Sequence, residues 1–393
     1  MEERLDSPDK LDSVPAVEDS LSPVKHIVII SNVASHHLYI LVLLRIFQDN
    51  RITLFINPRM EPALRDGIRT HGNVGSIIPI LKKQPFPEEV KREISSADII
   101  ILDEPYSFAE LIRLALLKVT PRFYLTVYNC TSWFFPRYSL SVKQSLSSLL
   151  RTLIIRKMRN IIVMSGNIQA YLREKRVPKN IVYVPFDYPS PSSLTMNRNV
   201  SGKKLRVVVP GFVSQHRDYD AILEVFRCGR FRETVTLVLL GPPVDAYGTR
   251  IIGKCKEMVS EGFDIEFYEQ YPSREKFDSE IDRADVLLTV FDLSYTTVDG
   301  QREIFGTTKE TGVPFLALTH AKAAILPSKY RSPMEMSSQI IPYTEPGDIP
   351  RIIERIIQNP DILSEYQERA VQNALRVDLE PIRKQFGEYL NRE

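Results

Sequence analysis

Residues 302–318, REIFGTTKETGVPFLAL, collect the residue types that can hold a phosphate ester. Lys309 brings a point charge, and Glu310 can accept hydrogen bonds from ribose hydroxyls. Gly306, Thr307 and Thr308 can open a short helix, whose unpaired backbone N–H groups would grip an anion. Gly312-Val313-Pro314 stops that helix, and Phe315–Leu318 reads as the strand after it. The competing reading is an ordinary strand–loop–helix–strand passage with a solvated Lys-Glu pair, because short motifs match by chance.

Three further loops could contribute. Pro210–Arg217 follows an apolar run of strand length. In it Gly211 lets a backbone approach closely, and Arg217 can meet a diphosphate with two parallel hydrogen bonds. Asp103 and Glu104 follow Ile99–Leu102, where a carboxylate can serve as base or orient a hydroxyl. They could equally sit at a helix start simply because acids are favoured there. His36 and His37 follow the first apolar run and could bind an acceptor or merely cover a helix start. No cluster of histidine, cysteine and acid has the spacing of a metal site. Arg217 and Lys309 are expected to converge on one hollow.

The elements that must position these loops alternate. Apolar runs at 24–32, 51–57, 75–81, 97–103, 122–128, 160–164 and 180–184 are separated by helical stretches. Near-continuous apolar runs suit parallel strands covered on both faces. Residues 187–203 break the rhythm with two prolines, a glycine and four serines, and read as a linker. The alternation restarts at 205–209, 234–240, 264–268 and 284–291 and ends in helices at 349–358, 360–376 and 381–391. Such alternation implies βαβ units and two doubly wound α/β sheets. In an open parallel sheet, ligands bind beyond the carboxyl ends of the strands, so two such domains facing each other form a cleft.

The chain has 393 residues, 43% of them hydrophobic, with net charge +2. That is enough for two cores, and nucleic acid is not expected as a partner. Three cysteines lie far apart, which points to a reducing cytoplasm rather than a disulfide framework. Residues 1–22 carry seven acidic and two basic residues and read as a disordered tail. Residues 111–173 hold ten Lys or Arg and no Asp or Glu. A one-signed region points to an anionic partner, such as a phospholipid surface, or to a solvated helix face. Trp133-Phe134-Phe135, just ahead of its basic apolar segment, is either an interfacial anchor or buried packing.

Together these features resemble the GT-B glycosyltransferases, and among them the retaining nucleotide-sugar enzymes of family four. Gly211 and Arg217 match a Gly followed six residues later by Lys or Arg; Phe212 stands where the family carries an intermediate Arg. Glu310, Gly312 and Pro314 resemble the second of two glutamates spaced eight apart, with the Gly and Pro behind it. The first falls at Arg302, with Glu303 one place on. Asp103-Glu104-Pro105 resembles a His-Glu-Pro, with Asp103 in the place of the His. The resemblance implies a Rossmann-like acceptor domain at 23–186, a Rossmann-like donor domain at 204–376, and a helix at 377–393 crossing back. It implies a UDP- or GDP-linked sugar donor, held by Gly211, Arg217, Gly306, Thr307, Thr308, Lys309 and Glu310, without metal or other cofactor. It also implies a glycan or lipid-linked acceptor near His36, Asp103 and Glu104, at the membrane periphery or in the cytoplasm. A nucleotide-sugar epimerase of the same fold, or a silent sugar-nucleotide- or glycan-binding protein, are the alternatives.

Overall fold

The computed structural model describes residues 24–33, 36–80, 88–105, 107–120, 122–137, 141–189, 204–228, 231–297 and 300–390. The acidic tail and most of the 187–203 linker lie outside them.

The first half runs β1 (His26–Ser31), α1 (His37–Ile46), β2 (Arg51–Ile56), α2 (Glu61–His71), β3 (Val74–Pro79), α3 (Glu88–Ser96), β4 (Ile99–Leu102), α4 (Phe108–Leu116), β5 (Phe123–Val127), α5 (Cys130–Phe134), α6 (Val142–Lys157), β6 (Asn160–Val163), α7 (Gly166–Glu174) and β7 (Asn180–Tyr183). Its strands form one parallel sheet in the order β3-β2-β1-β4-β5-β6-β7. Strands such as HIVIIS and IIIL are buried on both faces because helices cover each side. Two apolar clusters, one per face, follow from that alternation.

The second half runs β8 (Leu205–Pro210), α8 (Tyr219–Cys228), β9 (Val235–Leu240), α9 (Ala246–Ser260), β10 (Ile265–Phe267), α10 (Arg274–Arg283), β11 (Val286–Leu288), β12 (Ser294–Thr296), β13 (Arg302–Ile304), α11 (Gly312–Thr319), β14 (Ala323–Pro327), β15 (Ile340–Tyr343), α12 (Ile349–Gln358), α13 (Pro360–Leu375) and α14 (Glu380–Leu390). Its main sheet is also parallel, in the order β10-β9-β8-β11-β14-β15. The charge of Arg206, buried within β8, is neutralised by Glu266 at 2.8 Å and by fully buried Glu280. α14 packs on the first lobe: the Phe386 ring meets Phe47 edge-on and Tyr124 at a tilt, with ring centroids 5.0 and 5.2 Å apart, and Arg383 donates to the Arg45 carbonyl.

Residues 302–318 depart from expectation. Gly306–Thr308 open no helix. Instead β12 and β13 form an antiparallel hairpin, and a turn comes after it. Phe315–Leu318 is not a strand but the body of α11, and the strand comes later, at Ala323. α11 is buried nearly all round, so its apolar residues carry no helical period and read like a covered strand.

Candidate active site

Each sheet reverses its strand order at one point, where ligand crevices form. In the first sheet that point lies between β1 and β4, and the residues ending those strands meet. Ser31 donates to Asp103 Oδ2 at 2.6 Å, and His36 Nδ1 lies 2.7 Å from the same oxygen. A carboxylate only accepts, so Nδ1 carries the proton and Nε2 is the basic nitrogen. The imidazole packs against Tyr128 at 4.4 Å between ring centroids. Asp103 is thus a buried carboxylate that orients His36.

Glu104 plays a different part. It accepts hydrogen bonds from the Tyr128 backbone N–H, from Asn129 Nδ2 at 3.1 Å and from Trp133 Nε1 at 3.0 Å. These bonds fix the loop after β5. Trp133 is fully buried, so the aromatic triplet serves mainly as packing, with Phe135 at its exposed end.

The second lobe faces this group with the residues after β13. Lys309 Nζ donates to Asn129 Oδ1 at 2.7 Å and lies 5.1 Å from the centre of the Tyr295 ring. Burial pushes the ammonium below the usual lysine range, although Glu104 and Glu303 oppose that shift. Glu310 accepts from the Tyr330 hydroxyl at 2.5 Å. α11 starts just beyond it, and the Thr311 side chain does not cap the helix. A hollow of about 200 Å³ between the lobes is lined by His36, Tyr128 and Phe186 on one side and Lys309, Glu310, Thr311 and Gly312 on the other. The positive end of α11 and the Lys309 ammonium therefore face the His36–Asp103 pair.

The backbone of Gly306, Thr307 and Thr308 does not serve as an anion cradle. The Gly306 N–H is bonded to the Lys309 carbonyl, and those of Thr307 and Thr308 to the Ile304 carbonyl. A tight turn spends these donors internally. Gly306 has φ 77°, and a Cβ there would lie 2.6 Å from the Arg331 carbonyl oxygen. That glycine is required by the turn.

Arg217 and Lys309 do not converge on one hollow. Arg217 lines a cavity of about 990 Å³ at the reversal point of the second sheet, together with Asp292, Tyr295, Arg302, Lys329 and Tyr343. The β12–β13 hairpin separates the two cations, with Tyr295 as the shared wall. The Arg217 guanidinium donates to the Pro210 carbonyl and lies over Gly211, whose φ is 102°. A Cβ at Gly211 would sit 2.9 Å from Arg217 Nη2. Gly211→Ala should therefore cost about 1–3 kcal/mol from strain alone and move Arg217, read as a lower melting temperature. Lys309 also borders a third cleft of about 550 Å³, lined by Glu104, Asn129, Lys143, Gln144 and Arg151.

The sequence reading named Glu303 only as one place beyond a glutamate position and gave no role to Asn129 or Ser31. Fully buried Glu303 accepts from the Thr131 and Ser132 backbone N–H groups at 3.0 and 2.9 Å, across the lobes. Gln301 clasps both backbone groups of Arg137, at 2.7 and 2.6 Å. Among the described residues, no group of three or more His, Cys, Asp or Glu side chains converges as a metal site.

The chain matches no family model and no curated protein. Solved structures match it over nearly its whole length. HepE of Anabaena, in complex with UDP and glucose, superposes with a TM-score of 0.63 at 15% identity, covering 94% of this chain and 100% of that one. A glycosyltransferase from Rickettsia africae gives 0.58 at 12% identity, covering 94% and 99%. The fold is GT-B. Sucrose-phosphate synthase from Thermosynechococcus elongatus also gives 0.58 at 12% identity, covering 94% and 98%. In the GT-B frame of this chain, His36, bonded to Asp103 behind it, and the Lys309–Glu310 group occupy opposite walls of the interlobe crevice.

Proposed function

We propose that the protein is a hexosyltransferase of the retaining, metal-independent kind, akin to the family-four enzymes. It moves a sugar from a UDP- or GDP-linked donor to a glycan or lipid-linked acceptor in the cytoplasm. The observation that carries this reading is the interlobe hollow, where a half-buried cation and an uncapped helix start oppose an oriented imidazole. The leaving diphosphate gains charge as the glycosidic bond breaks, and Lys309 with the first turn of α11 neutralises it. Glu310 receives the ribose hydroxyls. His36, held by Asp103, contacts the acceptor, while Glu104 keeps the Asn129 loop in place. Arg217 belongs to the larger cavity behind the β12–β13 hairpin and takes no part in this hollow. The HepE complex with UDP and glucose supports a nucleotide-sugar donor by fold alone. Cys130 and Cys255 are buried free thiols, in keeping with a reducing compartment.

The test is incubation with a panel of UDP- and GDP-sugars, reading nucleotide release and thermal shift. Donor-dependent release is expected, and Glu310→Ala should weaken donor affinity. Unchanged turnover and affinity in that variant would refute the site. Asp103→Asn should lower kcat by about 10²–10⁴, the range for a positioned acid or base, with donor affinity retained. A pH–rate profile should change with it.

A second reading is a sugar-nucleotide-binding protein without turnover. It is favoured by Glu303, the acid next to the family's first-glutamate position, being bonded into the lobe contact. A donor-induced thermal shift with no nucleotide release would support it.

A further inference from the structure

α6 presents its residues inside out. Its buried positions include Ser147, Ser148, Ile154 and Ile155, while Val142, Leu146, Leu149 and Leu153 are exposed. Those four are spaced four, three and four apart, which places them in one stripe along the helix. Val142 is 82% exposed. The neighbouring helix α4, which packs on α6, adds exposed Ile112 and Leu116, the latter at 81%. Lys157 Nζ donates to the Ala115 carbonyl and ties the two C-terminal ends together. A surface helix normally turns such residues inward, so leucines turned outward on a well-packed helix need a partner.

The charge around the stripe selects that partner. Residues 111–173 carry ten basic and no acidic side chains. Exposed Arg156, Lys157 and Arg159 close the C-terminal end of α6, and exposed Lys118 follows α4. A second copy docking here would oppose like charges across a two-fold axis, which is unfavourable. Nucleic acid would take the cations but leave the leucines in water. An apolar stripe ringed by cations matches a surface with an acyl interior and anionic headgroups. Among the described residues no helix is long and apolar enough to cross a membrane, so contact through this face would be peripheral.

We propose that the exposed face of α4 and α6 docks on an anionic lipid bilayer, inserting Leu116, Val142, Leu146, Leu149 and Leu153 at the headgroup boundary. α6 also lends Lys143, Gln144 and Arg151 to the cleft that borders Lys309, from the side of the helix away from the stripe. The docking rests on the exposed face alone and not on the proposed transfer reaction.

The test is sedimentation of the full chain with phosphatidylcholine vesicles and with mixed phosphatidylcholine–phosphatidylglycerol vesicles. Binding to the mixed vesicles only, weakening with salt, is expected. Lys118→Gln and Arg156→Gln should each lower partitioning about fivefold. Leu146→Asn with Leu149→Asn should lower it about tenfold or more. Both pairs are exposed, so unchanged melting curves and donor-induced thermal shifts are expected, which separates this test from that of the transfer reaction. Failure of the wild-type chain to sediment with mixed vesicles overturns the proposal, as does equal, salt-independent binding to both kinds. A dimer in solution that the leucine variants dissolve, without vesicle binding, assigns the face to a second copy and also overturns it.

Discussion

Replacing Lys309 by methionine should lower kcat/KM for donor turnover by about 10²–10³, the loss seen when one preorganised donor to a developing anion is removed. The ammonium sits between Asn129 Oδ1 and the Tyr295 ring and faces the same hollow as the first turn of α11. Methionine keeps the length and apolar body of the side chain and deletes only the charge. The protonation state gives a second, independent readout. Burial lowers the Lys309 pKa below the usual 10.5, so the ammonium deprotonates at a lower pH than an exposed lysine. Activity that needs the charge should therefore fall as pH rises through that lowered value. Lys309→Arg should move this alkaline limb upward, because a guanidinium stays charged. The measurement is steady-state kinetics against pH for the three proteins, with donor affinity followed separately. An alkaline limb that is the same in the wild-type and arginine proteins would remove Lys309 from the reaction. On the stability side the sign is opposite to that of a stabilising ion pair. A lysine with a depressed folded-state pKa contributes fully only above its unfolded pKa, and that contribution is lost as pH falls through the folded value.

The fold was legible because parallel strands buried on both faces announce themselves. IVII, IIIL, VVV and LVLL need no partner to be recognised, since only a covered strand tolerates such composition over so few residues. The residues beyond those strands came with them, and so His36, Asp103 and Arg217 could be named, whereas Lys309 was named from its residue type within 302–318. Two things were hidden. α11 has the same uniform apolarity as a strand because it lies between layers, and the uncapped Thr311 gave a weak start signal. The β12–β13 hairpin was hidden because its short strands are exposed at alternate positions and its partner contacts lie in the other lobe. Glu303 pairs with residues more than 170 positions away. No local spacing carries that information, and conversely the amides of Gly306–Thr308 looked available only because their turn partners could not be seen.

That long-range pairing makes Glu303 the position where one substitution should change the shape of the whole molecule. Asn129 stands at the cap position ahead of α5, but its side chain does not cap the helix. Its amide is committed to Glu104 and its oxygen to Lys309. Glu303 arrives from the other lobe and takes the vacant role, accepting the Thr131 and Ser132 N–H groups and the Ser132 hydroxyl at 3.1 Å. An anion at a helix start is favourable, and three donors, two of them on buried Ser132, would be left without it. Glu303→Ala should therefore destabilise the lobe contact by about 3 kcal/mol or more. The lobes can satisfy those donors with water only by parting. Small-angle scattering should accordingly show a larger radius of gyration, and the melting curve should split or broaden as the lobes lose their coupling. Gln301→Ala in addition should deepen both changes, because Gln301 clasps Arg137 beside it. Burial raises the Glu303 pKa above the usual 4.5, against the pull of its hydrogen bonds. The folded chain then binds more protons than the unfolded one between those two values. Its contribution to stability is thus complete below the unfolded value and declines as pH rises through the folded one. The alanine variant should lack that decline, and a compact variant with an unchanged melting curve would show that the carboxylate does not hold the lobes together.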